Sequence, residues 1–238
     1  MTIHKVLVSG SEGRMGQEVT NLVLEERDLK LAARVDREKP EGVKNLNEVS
    51  ADTVDVAVDF SSPELLLDLL KWSAKNNRPV VSGTTGFQGK QWSQVKKAAE
   101  KVPVFWAPNM SLGVAVVSRM LKHFSALKSF DYQVEEIHHN KKKDQPSGTG
   151  IYLQEELKKN VGKGLPEPVS IRGGGIYGIH KIWAMSDEEM IAVEHTALNR
   201  QVFARGSLKA AKWLVSLGPG LYSMESMLVS LSRESFLE

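Results

Sequence analysis

Residues 5–36 constrain the fold more than any other stretch. Lys5-Val6-Leu7-Val8-Ser9 is a short apolar run that reads as a buried strand. Gly10-Ser11-Glu12-Gly13-Arg14-Met15-Gly16 follows, and Met15, Val19, Leu22 and Val23 then recur on one face of a helix. Leu31, Ala33 and Val35 alternate in a second strand that ends at Asp36. Glycines let a backbone turn tightly and approach a pyrophosphate, which then rests at a helix N-terminus where the dipole and unpaired N–H groups favour anions. Asp36 stands 20 residues after Gly16, where a carboxylate can accept from ribose hydroxyls. The spacing is G-x-x-G-x-x-G rather than G-x-G-x-x-G, and glycines alone also fit a plain turn in an α/β protein. The strand, the helix and Asp36 together favour a dinucleotide site. An aspartate repels a 2′-phosphate and an adjacent arginine can hold one, so Asp36 with Arg37 leaves NADH and NADPH both open. Arg37 as a solvated surface charge is the alternative.

The alternation continues. Val54 to Phe60 (VDVAVDF) reads as a third strand. Ser62 and Pro63 are placed as N-cap and first residue of the helix PELLLDLLKWSA. RPVVS at 78–82 is a fourth strand and leads into Gly83-Thr84-Thr85-Gly86. A helix over 88–101 and a strand over 102–106 complete a parallel, doubly wound pattern. Ligands in such sheets bind beyond the C-terminal strand ends, which turns the GTTG loop from a simple turn into a cofactor-facing candidate. Past a junction at 107–111 the pattern changes. A helix is expected at 113–127, a strand through Phe130, Tyr132 and Val134, a helix at 148–160, and strands near 169–173, 178–185 and 189–196. Helical spacing returns at 206–217. The fold class is therefore α/β, an N-terminal Rossmann-like doubly wound parallel sheet with an inserted α+β domain built on a mostly open sheet. The domains expected are 1–109 with 201–238 for the dinucleotide, and 110–200 for substrate and oligomerisation.

The inserted segment carries EEIHHNKKKDQPSGT at 135–149. A helix starting at Ser147-Gly148-Thr149 offers N–H donors and two hydroxyls to a carboxylate. His138 and His139 are candidates for proton delivery, since a histidine side chain ordinarily titrates near neutrality. Lys142 can do the same when desolvated, or stabilise developing negative charge. The bland readings are a solvated lysine run and, for His180 and His195, packing histidines. With no cysteine in the chain and a thin ligand set, no metal site is expected. A formal net charge of +2 is too slight to point to nucleic acid, and no apolar stretch is long enough to span a membrane, so a cytoplasmic protein is expected.

Several motifs in order resemble the 4-hydroxy-tetrahydrodipicolinate reductase (dihydrodipicolinate reductase) family of bacterial lysine biosynthesis. They are GSEGRMG at 10–16, DFSSP at 59–63, GTTGF at 83–87, APNMSLGV at 107–114, EEIHHNKKKDQPSGTG at 135–150, IRGGGIYGIH at 171–180, EHTALNRQVFARG at 194–206 and GLYSM at 220–224. The resemblance implies hydride transfer from NADH or NADPH to C4 of a small cyclic dicarboxylate with loss of water, in a homotetramer. It implies that His138 is the proton donor and acceptor, and Lys142 the second proton donor. His139, Ser147, Gly148 and Thr149 then contact substrate. Cofactor contacts carry over to Gly10, Ser11, Glu12, Gly13, Arg14 and Met15, to Asp36 and Arg37, to Gly83, Thr84 and Thr85, and to Ala107, Pro108, Asn109 and Met110. The chain departs from the pattern in a short 36–54 segment, in the charge of Glu12 inside the phosphate loop, in Asp36 where many relatives carry Glu, and at Lys141, Lys143 and Gln145. Another dehydrogenase of a small amino or keto acid, and a nucleotide sensor without turnover, are the competing readings.

Overall fold

The computed structural model describes residues 2–37, 40 and 42–234. In chain order the elements are β1 (His4–Ser9), α1 (Arg14–Glu25), β2 (Leu29–Val35), β3 (Val43–Lys44), β4 (Val56–Asp59), α2 (Pro63–Asn76), β5 (Val80–Ser82), α3 (Gln91–Ala99) and β6 (Pro103–Trp106). Then come α4 (Leu112–Met120), β7 (Asp131–His138), α5 (Gly148–Val161), β8 (Val169–Arg172), β9 (Gly178–Met185) and β10 (Met190–Ala197). The chain closes with α6 (Gln201–Leu214), β11 (Gly220–Tyr222) and α7 (Met224–Glu234). Two compact units result, Met1–Met110 with Phe203–Glu238, and Ser111–Val202. Met1 and residues 235–238, placed above in the dinucleotide domain, lie outside the described residues, as do Glu38, Lys39 and Glu41 of the short segment.

The first unit is a seven-stranded sheet in the order β11-β6-β5-β4-β1-β2-β3, parallel throughout. The α/β reading of its sequence holds. Val6, Leu7 and Val8 of β1 are fully buried because helices cover both faces, which is why that strand reads as an unbroken apolar run. α1 buries Val19, Leu22 and Val23, each contributing about 1.5–3 kcal/mol of transfer free energy. α2 starts where Ser62 and Pro63 place it, with the Ser62 hydroxyl accepting from the Leu65 N–H, and it ends at Asn77 in the left-handed region. Direction reverses between β1 and β4, the sheet's switch point.

The second unit is a four-stranded sheet in the order β10-β9-β7-β8, antiparallel except for the β7–β8 pair. One face packs Tyr132, Val134, Ile182 and Ala184 against Val117, Leu121, Leu153 and Leu157. The opposite face exposes Val169, Ile171 and Met190.

Three differences from the sequence reading have local causes. The helix expected over 113–127 stops at Met120 and tightens into a 3₁₀ turn over Leu121–Ala126. That turn places residues three apart on one side, and both Leu121 and Phe124 enter the core. α6 starts at Gln201 rather than 206, because Asn199 Oδ1 accepts the Gln201 N–H (3.0 Å) and opens the helix one turn early. β3 and β11, of two and three residues, are too short to show any alternation.

Candidate active site

In the second unit, Glu136 and His138 lie two apart on β7 and so project from the same face. Register supplies their neighbours. His138 stands opposite Arg172 on β8, Glu136 opposite His180 on β9, and His180 opposite His195 on β10. Glu136 is fully buried. Its Oε1 accepts from Arg172 Nη2 at 2.6 Å and from the Ser147 N–H at 3.1 Å. Its Oε2 accepts from Arg172 Nη1 at 2.9 Å and touches His138 Nδ1. Burial pushes this carboxyl up, but the bidentate guanidinium, the imidazole and the amide outweigh it and hold it at about 2. Glu136 is therefore a carboxylate at neutral pH. Burial pulls the His138 imidazole below its usual value, and Lys142 and Arg172 oppose the upward pull of Glu136. His138 Nε2 faces Gly178, where an added Cβ would sit 2.9 Å from it. The His138 and His180 rings meet edge to face at 5.1 Å. Burial and the neighbouring histidines depress His180 to about 3, and burial lowers His195.

The loop after β7 is tied down at several points. The His139 N–H donates to Ile176 O (2.6 Å), Gly173 N–H to His138 O (2.9 Å) and Lys142 N–H to His139 O (3.1 Å). His139 Nδ1 is buried with no hydrogen-bond partner among the described residues. Lys142 is largely buried, with Nζ 2.9 Å from Asp144 Oδ2, whereas Lys141 and Lys143 are exposed. The lysine run is thus not one solvated face. Arg172 Nη2 also donates to Asp144 O (2.7 Å), joining the Lys142 loop to the Glu136 cluster. Ser147 is the N-cap of α5, its hydroxyl accepting from the Gly150 N–H at 3.1 Å and lying 3.4 Å from His180 Nε2. Gly148 has open space around it and Thr149 is half-buried beside it, both in the first turn, at the positive end of the helix. His195 pairs with the Ser111 hydroxyl (3.2 Å), the N-cap of α4, so it braces that helix start. The described residues hold no cluster of His, Cys, Asp and Glu arranged for a metal ion.

In the first unit, the other candidates gather at the C-terminal strand ends. Gly10 has φ +74°, and a Cβ there would meet Phe60 O at 2.4 Å, so no other residue fits that turn. At Gly16 a Cβ would lie 2.0 Å from Gly10 O, which lets α1 close onto the loop. Gly13 caps α1 without a side-chain bond, and Arg14 and Met15 begin the helix. Asp36 is fixed by the Glu12 N–H (2.9 Å) and the Arg37 N–H (2.7 Å). The Glu12 carboxylate takes the Ser11 hydroxyl (3.1 Å) and lies 3.6 Å from Arg34, so its charge is partly balanced. Arg37 pairs with Glu64 at 3.1 Å on the surface. Gly10, Glu12, Gly13, Asp36 and Arg37 line a cavity of about 420 Å³ with Phe60, Ser61 and Ser62. A glycine cradle, an uncapped helix start and a fixed acidic residue fit a dinucleotide.

Gly83 lies against the Phe60 ring, and Trp106 Nε1 donates to Thr84 O (2.8 Å), anchoring the GTTG loop. Thr85 is exposed, whereas the Thr84 side chain turns inward to Asp59. Ala107 and Met110 are buried, Pro108 is exposed and Asn109 half-buried. Asp59 is wholly buried and accepts from the hydroxyls of Ser9, Ser61, Ser82 and Thr84, which stitches together the ends of β1, β4 and β5. Burial raises its pKa despite those four donors.

Glu136, Arg172 and Asp59 were not singled out from the sequence. The Glu-x-His spacing on a strand signals Glu136, and an acid closing the apolar run VDVAVD signals Asp59. Nothing local signals Arg172, which arrives by strand register.

Comparison with known proteins covers nearly the whole chain. A family model described as dihydrodipicolinate reductase, N-terminus, matches residues 4–110, and one described as dihydrodipicolinate reductase, C-terminus, matches residues 113–228. The chain is 52% identical over 231 residues to a 4-hydroxy-tetrahydrodipicolinate reductase of Bdellovibrio bacteriovorus, covering 97% of this chain and 98% of that one. It is 36% identical to the protein of the same name from Oleidesulfovibrio alaskensis, over 94% and 98% of the two chains. Its fold is similar to that of dipicolinate-bound dihydrodipicolinate reductase from Paenisporosarcina sp. TG-14, with a TM-score of 0.79 at 23% identity, over 93% and 98%.

Proposed function

The chain belongs to the dihydrodipicolinate reductase family, and from that premise we propose that it reduces 4-hydroxy-tetrahydrodipicolinate to tetrahydrodipicolinate in lysine and diaminopimelate biosynthesis. The reaction takes up one hydride and one proton and releases water. Bound NADH or NADPH supplies the hydride. The observation that carries the reading is His138, buried at a strand end with Nε2 packed over Gly178 and Nδ1 bound to Glu136, the carboxylate that also holds the N-cap residue of α5.

In this reading Gly148 and Thr149 take one substrate carboxylate at the helix start, with Ser147 shaping the turn and the unpartnered His139 Nδ1 aimed at substrate. His138 gives and regains the proton through Nε2, reloading from water. Lys142, held by Asp144, delivers the second proton or steadies negative charge. Gly10, Ser11, Glu12, Gly13, Arg14 and Met15 hold the pyrophosphate and Asp36 the ribose. Gly83, Thr84, Thr85, Ala107, Pro108, Asn109 and Met110 hold the nicotinamide end. Met1–Met110 with Phe203–Glu238 is then the dinucleotide unit, and Ser111–Val202 the substrate and oligomerisation unit. The exposed apolar face with Val169, Ile171 and Met190 supports assembly into a homotetramer. The absence of cysteine fits a cytoplasmic location, and no helix among the described residues is long and apolar enough to cross a membrane.

The test is a coupled assay in which substrate is generated continuously by dihydrodipicolinate synthase and cofactor oxidation is followed for NADH and NADPH separately. Oxidation dependent on the synthase product is expected. His138→Ala and Lys142→Ala are expected to lower kcat far more than cofactor affinity. No oxidation with either cofactor overturns the function, and full turnover in both variants overturns the roles.

A further inference from the structure

We propose that Glu136 is a positioning residue for the reaction: it holds Nδ1–H of His138 so that Nε2 is the atom that handles the proton. The inference rests on His138 being the acid–base group of the proposed reaction.

Three observations support it. First, Glu136 is fully buried yet every oxygen is occupied, by Arg172 on both sides, by the Ser147 amide and by His138 Nδ1. A buried carboxylate is costly unless paired in this way, so the cluster fixes its geometry firmly. Second, an acceptor-only carboxylate on Nδ1 demands a proton there, which leaves Nε2 of the neutral ring without one. Nε2 is the ring nitrogen away from Glu136, packed over Gly178, which has no side chain to cover it. Third, the same carboxylate accepts from the N-cap residue of α5, while its Arg172 partner holds Asp144 O, and Asp144 holds Lys142. One buried charge thus sets the imidazole, the helix start and the Lys142 loop in common register.

The arrangement differs from a bare carboxylate–histidine pair. Burial, helped by Lys142 and Arg172, outweighs the upward pull of Glu136 and leaves the imidazole below its usual value, with Glu136 and Arg172 acting on it in opposite senses. The charged and titratable groups facing His138 are Glu136 on its own strand, Arg172 on β8, His180 on β9 and Lys142 from the loop. Removing either member of the Glu136–Arg172 pair must therefore move the His138 titration, and in opposite directions. Glu136→Gln leaves Arg172 as an uncompensated positive neighbour and favours the neutral ring. Arg172→Gln leaves Glu136 as an uncompensated negative neighbour and favours the charged ring. A role confined to holding the fold together moves neither.

The experiment compares wild type, Glu136→Gln, Glu136→Asp and Arg172→Gln by kcat against pH, by NADH affinity from fluorescence, and by nitrogen NMR of His138 in ¹⁵N-histidine-labelled protein. In wild type the neutral ring is expected as the Nδ1–H tautomer. In Glu136→Gln the Nε2–H tautomer is expected to appear, with kcat falling about 10²-fold or more, as when a buried acid that orients a catalytic histidine is amidated. NADH affinity is expected to hold. The alkaline limb of the kcat profile, where His138 loses the proton it must give, is expected to move to lower pH in Glu136→Gln and to higher pH in Arg172→Gln, and Glu136→Asp to recover part of the lost kcat. An unchanged tautomer with kcat within threefold of wild type in Glu136→Gln overturns the proposal, as do parallel shifts in the two neutralised variants. If Glu136→Gln does not fold, the upward shift in Arg172→Gln decides alone. The NMR reading needs no turnover, so it stands even where the wild-type protein fails the coupled assay.

Discussion

Gly178→Ala is the sharpest probe of the candidate site, because its effect follows from one distance. An added Cβ would lie 2.9 Å from His138 Nε2 and 3.3 Å from Cδ2. Ordinary contact begins near 3.5 Å, so the ring must retreat by about 0.6 Å. It has little room behind, since Nδ1 is bound to Glu136 and Glu136 is gripped by Arg172 on both oxygens. His180 Cε1, 3.4 Å from the same Cβ, closes another side. A misplacement of ~1 Å in a reacting group costs about 10²-fold, so kcat is expected to fall roughly 10- to 50-fold. The backbone at Gly178 is extended strand, so alanine brings no φ penalty, and overpacking is expected to cost only about 1–2 kcal/mol. The coupled assay gives kcat, fluorescence gives NADH affinity, and urea unfolding gives stability. Gly164→Ala, where a Cβ meets nothing within 4 Å, is the control and is expected to leave kcat unaltered. Turnover of Gly178→Ala within a factor of two of wild type would refute the placement of Nε2 as the working atom.

Acid should weaken the fold in two stages. His180 is held at about 3 in the fold against 6.5 when free, so only the unfolded chain gains a proton as pH falls through 6.5. Stability is thus lost from pH 6.5 downward, at about 1.4 kcal/mol per pH unit for this group. The depressed His138 and His195 add to the early loss, and Glu136, held at about 2, adds a second loss as pH falls from about 4.5. Urea midpoints between pH 8 and 5 are expected to show the first stage, and an unchanged slope in His180→Gln would contradict its buried neutral state. Lys212 of α6 bridges Glu26 and Asp28 at the α1–β2 turn. Lys212→Met leaves two partly buried carboxylates unpaired and is expected to cost about 1–3 kcal/mol by urea unfolding, whereas no loss would show that α6 is held there by packing alone.

The local chemistry of the fold was legible because it is written in short-range patterns. Periodicities of two and 3.6, Ser62-Pro63 at a helix start, and glycines where a Cβ has no room all depend on neighbours a few residues away. The pairing of Glu136 with His138 is equally local, an i, i+2 contact on one strand face, but Glu136 was not singled out, because nothing in the spacing says that its carboxyl is buried. What the amino-acid order left open are the contacts that strand register creates. Arg172 reaches Glu136 only because β8 lies parallel to β7 with Arg172 opposite His138, and His180 joins the row only through the antiparallel β9. The distinction between Lys142 and its two exposed neighbours is of the same kind, since it depends on Asp144 and on a loop strapped to residues 173–176. Sequence therefore determined which elements form and which residue types could do proton and anion chemistry. Burial and long-range pairing decided which of them carry charge and where each faces, because the energies of desolvation and ion pairing depend on groups brought together from distant parts of the chain.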